Sequence, residues 1–121
     1  LNVSNISDGT TSVGTGYVVN GSAKAWVNFN GTGTIAARDS LNVSSLTDDG
    51  TGLYGSNLIN ALANVNASGS SSANNGVDTY NRACATFVNT VSLVEHYAFN
   101  TAGTDAIDCS FVLSSIHGDL A

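Results

Sequence analysis

Apolar and polar residues alternate along most of this chain, with the period of a β-strand rather than a helix. Ala23-Lys24-Ala25-Trp26-Val27-Asn28-Phe29-Asn30 is followed by Gly31-Thr32-Gly33 and then by Thr34 to Ser40. This predicts two strands around a short turn, because glycine supplies the positive φ that tight hairpins need. Leu41 to Thr47 predicts a third strand. Asp48-Asp49-Gly50-Thr51-Gly52 then turns the chain into a fourth, Leu53 to about Ile59. Leu58, Leu62 and Val65 have helical spacing, which predicts one short helical turn near Asn60 to Ala63. Closely flanking Gly and Asn exclude a long helix there. Residues 66–76 are Ser, Ala, Gly and Asn. A linker is one reading; a polar strand with a mobile loop is favoured, since strand patterns resume at once.

Arg82 to Val88 predicts the next strand and Thr90 to Phe99 a longer one. In the longer strand Val91, Leu93, Tyr97 and Phe99 share a face interrupted by Glu95. Asn100 to Asp105 is a turn. Ile107 to about Ile116 is the last strand, with Ile107, Cys109, Phe111 and Leu113 on one face. About eight short strands at roughly 8–12-residue spacing are the pattern of an all-β sandwich or barrel, and the expectation here is an antiparallel β-sandwich. The absence of proline suits a chain that is mostly ladder. Leu1-Asn2-Val3-Ser4 recurs as Leu41-Asn42-Val43-Ser44, with Asp8 and Asp48 at the same offset. Chance and a duplicated strand account for this equally well, and the repeat is too short to define a solenoid.

Composition narrows the class. The 121 residues are the size of one domain. Asn, Ser, Thr and Gly make up almost half of them, and only 10% are charged. The surface must therefore be coated with hydroxyls and amides. Three cations against nine carboxylates leave a net charge of −6, which argues against nucleic acid and anionic membranes. No apolar run approaches the ~18 residues of a membrane span. The start Leu1-Asn2-Val3 has no basic or long apolar leader, so no signal peptide is read. A chain without methionine reads as a fragment or a trimmed product.

Candidate chemistry is sparse. A glycosidase needs two carboxylates at a defined separation, and the only Glu is Glu95. Asp8, Asp48, Asp49, Asp78 and Asp105 sit in predicted turns, where Asp caps the backbone. No Ser occupies a GxSxG elbow that His96 or His117 could serve. Asp48-Asp49-Gly50 lacks the ligand spacing of a calcium loop. A single histidine gathered at a threefold axis can bind a metal, but a solvated or hydrogen-bonded His96 and His117 is the default. Cys84 and Cys109 lack zinc spacing and read as reduced thiols, with pairing the lesser alternative. Six Asn-X-Ser/Thr sequons begin at Asn2, Asn5, Asn20, Asn30, Asn42 and Asn66. Without a signal peptide they are taken as composition. No catalytic residue, cofactor or metal is assigned.

Gly21 to Thr34, with its core Ala25-Trp26-Val27-Asn28-Phe29-Asn30-Gly31-Thr32-Gly33, resembles the opening of a C-terminal domain of bacteriophage tail-fibre proteins, of the marine and cyanobacterial type. Arg38-Asp39-Ser40-Leu41-Asn42-Val43-Ser44-Ser45-Leu46-Thr47-Asp48, Gly50-Thr51-Gly52-Leu53-Tyr54 and Asn60-Ala61-Leu62-Ala63-Asn64 are similar to its continuation. Ile116-His117-Gly118-Asp119 is similar to its ending, where an aromatic often stands in place of His117. The resemblance covers about residues 17 to 67 and, loosely, the last strand. It implies a non-enzymatic homotrimeric β-structured fibre tip or knob on the virion, made in the host cytoplasm. Its implied partners are its own copies, other tail proteins, and a host polysaccharide or outer-surface protein. Residues 1–20 would be the approach from a shaft and 21–121 the β-sandwich fibre domain. Loop position and polar-aromatic character nominate Asn74, Asn75, Asp78, Tyr80 and Asn81 for receptor contact. A structural virion component without receptor binding, such as a fibre adaptor or capsid decoration, is the alternative. A cell-surface depolymerase is a more distant one.

Overall fold

The computed structural model describes residues 2–76 and 82–121. They form antiparallel sheets with one short helix. A hairpin of β1 (Asn5–Ser7) and β2 (Ser12–Gly14) comes first, followed by α1 (Thr15–Gly21). One four-stranded sheet has the order β4 (Ala36–Leu41), β3 (Ala25–Asn30), β10 (Phe111–His117), β7 (Ser68–Asn74). The other has the order β5 (Val43–Gly50), β6 (Leu53–Leu58), β9 (Leu93–Phe99), β8 (Ala83–Thr90). The chain is all-β, as its periodicity predicts.

Both sheets feed the same core. Val27 and Phe29 of β3, Ala73 of β7 and Val112 of β10 pack with Tyr54 of β6 and Ala98 of β9. A second cluster joins Ala25 and Ile116 to Leu58, Val88 and Val94. At the junction Phe29 meets Tyr54 edge-on at 5.2 Å and His96 at 5.5 Å. The strand expected here forms as β3 and alternates strictly, with Ala25, Val27 and Phe29 inward.

One predicted face holds and one is corrected. In β9 Leu93, Tyr97 and Phe99 share a side with Glu95, Val91 precedes the strand, and the core side is Val94, His96 and Ala98. The last strand begins only at Phe111, and Val112, Ser114 and Ile116 point inward. Cys109 is buried ahead of the strand, so Ile107 and Cys109 do not continue the face of Phe111 and Leu113. The irregular stretch before Phe111 shifts the alternation by one residue, and such a slip reverses every later side chain.

Two further local readings change. No helical turn forms at Asn60 to Ala63. Buried Leu62 is tied down by its N–H to Val91 O (2.8 Å) and by a bridge to Leu120, so tertiary packing overrides the spacing. The helix appears instead at Thr15–Gly21, where none was expected. None of its residues is buried; the Lys24 ammonium donates to Val19 O and to Ser22 O (2.7 Å) at its C-terminal end.

The predicted third strand is also divided. Leu41 ends β4 in one sheet and Val43 begins β5 in the other, with Asn42 at φ 58° between them. Asn and Asp are the side chains that most readily accept this left-handed backbone. The Asn42 amide donates to Lys24 O and Asn60 O (both 3.0 Å), and its Oδ1 accepts from Asn60 N (2.7 Å). An Asn42→Ala variant therefore loses three hydrogen bonds and strains the corner. The expected loss is roughly 2 kcal/mol, read as a lowered urea midpoint. Asn42→Gly should recover the strain component but not the hydrogen bonds; equal midpoints for the two variants would refute the strain contribution.

Candidate functional site

The outer side of the β4-β3-β10-β7 sheet is built by cross-strand pairing, since directly opposed residues point to the same face. One row runs Leu41, Trp26, Ser115, Ser70. The next runs Asp39, Asn28, Leu113, Ser72. A third pairs Phe111 with Asn74. Trp26 is half-buried, and Phe111 and Leu113 are 36% and 38% exposed. Between them lies a shallow open cleft lined by Trp26, Asn28, Leu113 and the serines at 70, 72 and 115. The Ser70 and Ser115 hydroxyls are 3.0 Å apart.

Arg38 joins this face through a bulge. Asn28 pairs with Asp39 while Phe29 pairs with Ala37, so Arg38 is the extra residue. Bulges re-aim side chains, and here the guanidinium lies over the Phe111 ring, 4.0 Å from its centroid. It donates to Ser110 O (2.7 Å) and to Asn28 Oδ1 (3.3 Å). The result is a fixed cation, one residue from Asp39, on a face of Ser hydroxyls, Asn amides and the apolar Trp26, Leu113 and Phe111 side chains.

The outer side of the other sheet carries a strip of rings. Phe87 and Tyr97 are near parallel at 5.6 Å, and Tyr97 and Phe99 at 6.5 Å. Glu95 accepts from Asn89 Nδ2 (2.8 Å) and from the Tyr97 hydroxyl (2.9 Å). That hydrogen bond holds the Tyr97 phenol above its ordinary pKa.

Between the sheets, His96 is 1% exposed. Its Nε2 is 2.8 Å from Ser56 Oγ and its Nδ1 2.9 Å from Thr86 Oγ1. Burial pushes its pKa down to about 4, so the ring is neutral at pH 7. The contacts are hydroxyls on both nitrogens, which makes His96 a core hydrogen-bonding group rather than a base at a substrate. Its burial also removes it from any intersubunit metal axis. His117 is half-buried at the end of β10. Among the described residues no three His, Cys, Asp or Glu side chains gather as a metal site. Cys84 and Cys109 are free thiols, and burial raises the pKa of both. No described helix is long and apolar enough to cross a membrane.

No protein-family model, curated protein or solved structure matches this chain. The functional reading therefore rests on the residues themselves. Of the nominated loop, Asn74 ends β7 opposite Phe111, beside the Arg38 site. Its Oδ1 accepts from Gly76 N. Asn75, next to it, is half-buried, with its Oδ1 buried and without a hydrogen-bond partner among the described residues. Asp78, Tyr80 and Asn81 lie outside the described residues. Sequence reading missed Trp26, Asn28, Arg38, Phe111 and Leu113 as a group. The alternation of β3 already places Trp26 and Asn28 outward; the bulge and the slipped β10 hide the rest.

Proposed function

We propose that this chain is a non-enzymatic, receptor-recognising domain of a bacteriophage tail fibre. In this reading its two four-stranded sheets form an antiparallel sandwich that trimerises as a fibre tip or knob on the virion. It would meet other tail proteins at one end and a host polysaccharide or outer-surface protein at the other. The observation that carries recognition is the outer face of the β4-β3-β10-β7 sheet. There an indole and two apolar side chains stand among Ser hydroxyls and Asn amides. Rigid aromatic area with adaptable polar groups beside it is what recognition surfaces use. The likeness of residues 17–67 to tail-fibre domains supports the setting.

Two features support assembly with further copies. Edge strands β4 and β5 have one unpaired side each, which needs cover in a β-protein. Val18, Val19, Leu41 and Leu120 also line one open cleft at the end of the sheets where the N-terminal arm joins, and all four are exposed. Purified chain should give a trimer by native mass; a monomer would remove the fibre-tip reading. Labelled protein should adsorb to host cells found in a panel of marine and cyanobacterial strains. Trp26→Ala should weaken that adsorption by roughly tenfold, as for a central aromatic contact, with a lowered melting temperature but a native circular dichroism spectrum at the assay temperature. Undiminished adsorption would remove this face from recognition.

The adaptor alternative has its own observation. The arm of residues 2–22 exposes Ile6, Val13 and Val19, and Tyr17 is 81% exposed. Fixed burial of the whole chain at the base of the fibre, seen in particle images, would favour it.

A further inference from the structure

The charge on the Trp26 face points to one class of ligand. Arg38 is one of only three cations in a chain of net charge −6. Among the described residues no carboxylate forms an ion pair with it; its contacts are Ser110 O, Asn28 Oδ1 and the Phe111 ring. Two of the five guanidinium donors are thus used to hold it in place, which leaves three N–H groups on a pre-positioned fork. Such a fork matches a carboxylate better than any neutral group does. Asp39 lies on the next row, with its Oδ1 turned back to the N–H of Ser40 (2.9 Å).

The distance to the indole is set by the ladder. Trp26 pairs with Ser115, and Phe111 is four residues away along β10, about 13 Å at the usual strand rise. The cleft beside the indole is floored by Leu113 and flanked by Asn28 and the Ser70 and Ser72 hydroxyls, and Phe111 with Arg38 on its ring lies past the end of that cleft along the same outer face. That length exceeds one sugar ring and suits a short oligosaccharide.

We infer that this face binds a polysaccharide of acidic sugars, with a carboxylate on Arg38 and a pyranose ring against Trp26. The inference rests on the recognition reading above and deepens it. The Arg38 fork takes the carboxylate, Leu113 and Trp26 cover apolar ring faces, and the serine and asparagine groups exchange hydrogen bonds with ring hydroxyls. Asp39 opposes the ligand charge and keeps affinity modest.

The test uses the whole chain in titration calorimetry against oligomers of galacturonate, mannuronate and a glucuronate-containing repeat. The methyl ester of the best binder is the neutral control. At least one acid oligomer should bind, and its ester should bind roughly tenfold or more weakly, the scale of a lost charge-assisted hydrogen bond. Binding should weaken with added salt. Arg38→Gln should weaken the acid far more than the ester, and Asp39→Asn should tighten acid binding, which a purely structural role would not do. Equal binding of acid and ester, or no binding of any acid oligomer, overturns the inference. Either result leaves the recognition reading standing if cell adsorption still depends on Trp26; loss of that dependence removes both. Melting curves of Arg38→Gln and Arg38→Lys separate misfolding from lost contact, and a folded Arg38→Gln that binds acid oligomers normally also overturns the inference.

Discussion

Gly52→Ala should be the most damaging single methyl added to this protein. Gly52 sits at φ 67°, in the hairpin between β5 and β6. Its N–H donates to Asp108 Oδ1 (2.8 Å) and its carbonyl accepts from Ala98 N (2.8 Å). A Cβ here would stand 2.5 Å from Ala98 O, 2.8 Å from Ile107 N and 2.9 Å from Ile107 O. It would enter the hydrogen bond between Ile107 N and Ala98 O (3.0 Å). All three neighbours are backbone, so relief requires moving strand β9 or the segment before β10. Left-handed strain contributes about 1–2 kcal/mol, and overpacking another 1–3 or so. The expected loss is therefore about 2–5 kcal/mol, a large part of a small domain's stability. Urea denaturation followed by circular dichroism measures it. Gly33→Ala is the control, because Gly33 has φ 63° with nothing within 4 Å of its Cβ position. It should show the strain alone. If both variants lose the same amount, the packing argument at Gly52 is wrong.

Acidification should give the second large effect, through His96. Its folded pKa is about 4, against roughly 6.5 in an unfolded chain. Below the unfolded value the unfolded state binds the proton and the folded state does not, so stability falls as pH falls. The neutral-ring advantage is complete above about pH 6.5 and is lost progressively down to about pH 4. The shift corresponds to roughly 3 kcal/mol in order of magnitude. The local chemistry agrees with the sign. A neutral imidazole donates to one hydroxyl and accepts from the other, which suits Ser56 and Thr86 together. A protonated ring donates from both nitrogens, and the hydroxyl that donated must turn away. Denaturation midpoints between pH 7 and pH 5 should drop for the native chain and stay flat for His96→Gln. Asp8, held below its usual pKa by the Thr11 and Thr10 N–H groups, titrates lower and stays out of that window. A slope shared by the native chain and His96→Gln would assign the pH dependence to another group.

The legible parts of the fold were those where neighbours in sequence decide the outcome. The strand over Ala25–Asn30 reads from local alternation alone, because β3 runs without interruption; which of its faces is buried, Ala25, Val27 and Phe29, is set by the structure. The turn at Gly31–Gly33 reads from residue type alone. The one expected over Asp48–Gly52 narrows to Thr51 and Gly52, because Asp48 and Gly50 pair with Tyr54 and Leu53 and extend β5. What stayed hidden depends on a partner strand. Arg38 is an ordinary strand residue until its pairing with β3 skips it. Phe111 and Leu113 read as continuing a face with Cys109 until the irregular segment before β10 shifts the parity. Leu62 has helical spacing to its neighbours, yet its environment is fixed by Val91 and Leu120 from elsewhere in the chain. The outer face of the β4-β3-β10-β7 sheet combines a legible half, on β3, with an illegible half, on the β4 bulge and β10. Asn74, nominated from loop position, ends strand β7 opposite Phe111.

Strand β10 also governs when this protein can become whole during synthesis. It lies between β3 and β7, which precede it by dozens of residues, and it pairs with both along most of its length. A nascent chain translated through β9 can close the β3–β4, β5–β6 and β8–β9 hairpins, but not the first four-stranded sheet. Until residues 111–117 leave the ribosome, β3 and β7 each keep an open edge, with Val27 and Phe29 lacking their cover from Val112. That interval is the time in which the growing polypeptide is most exposed to mispairing with its neighbours on the same messenger.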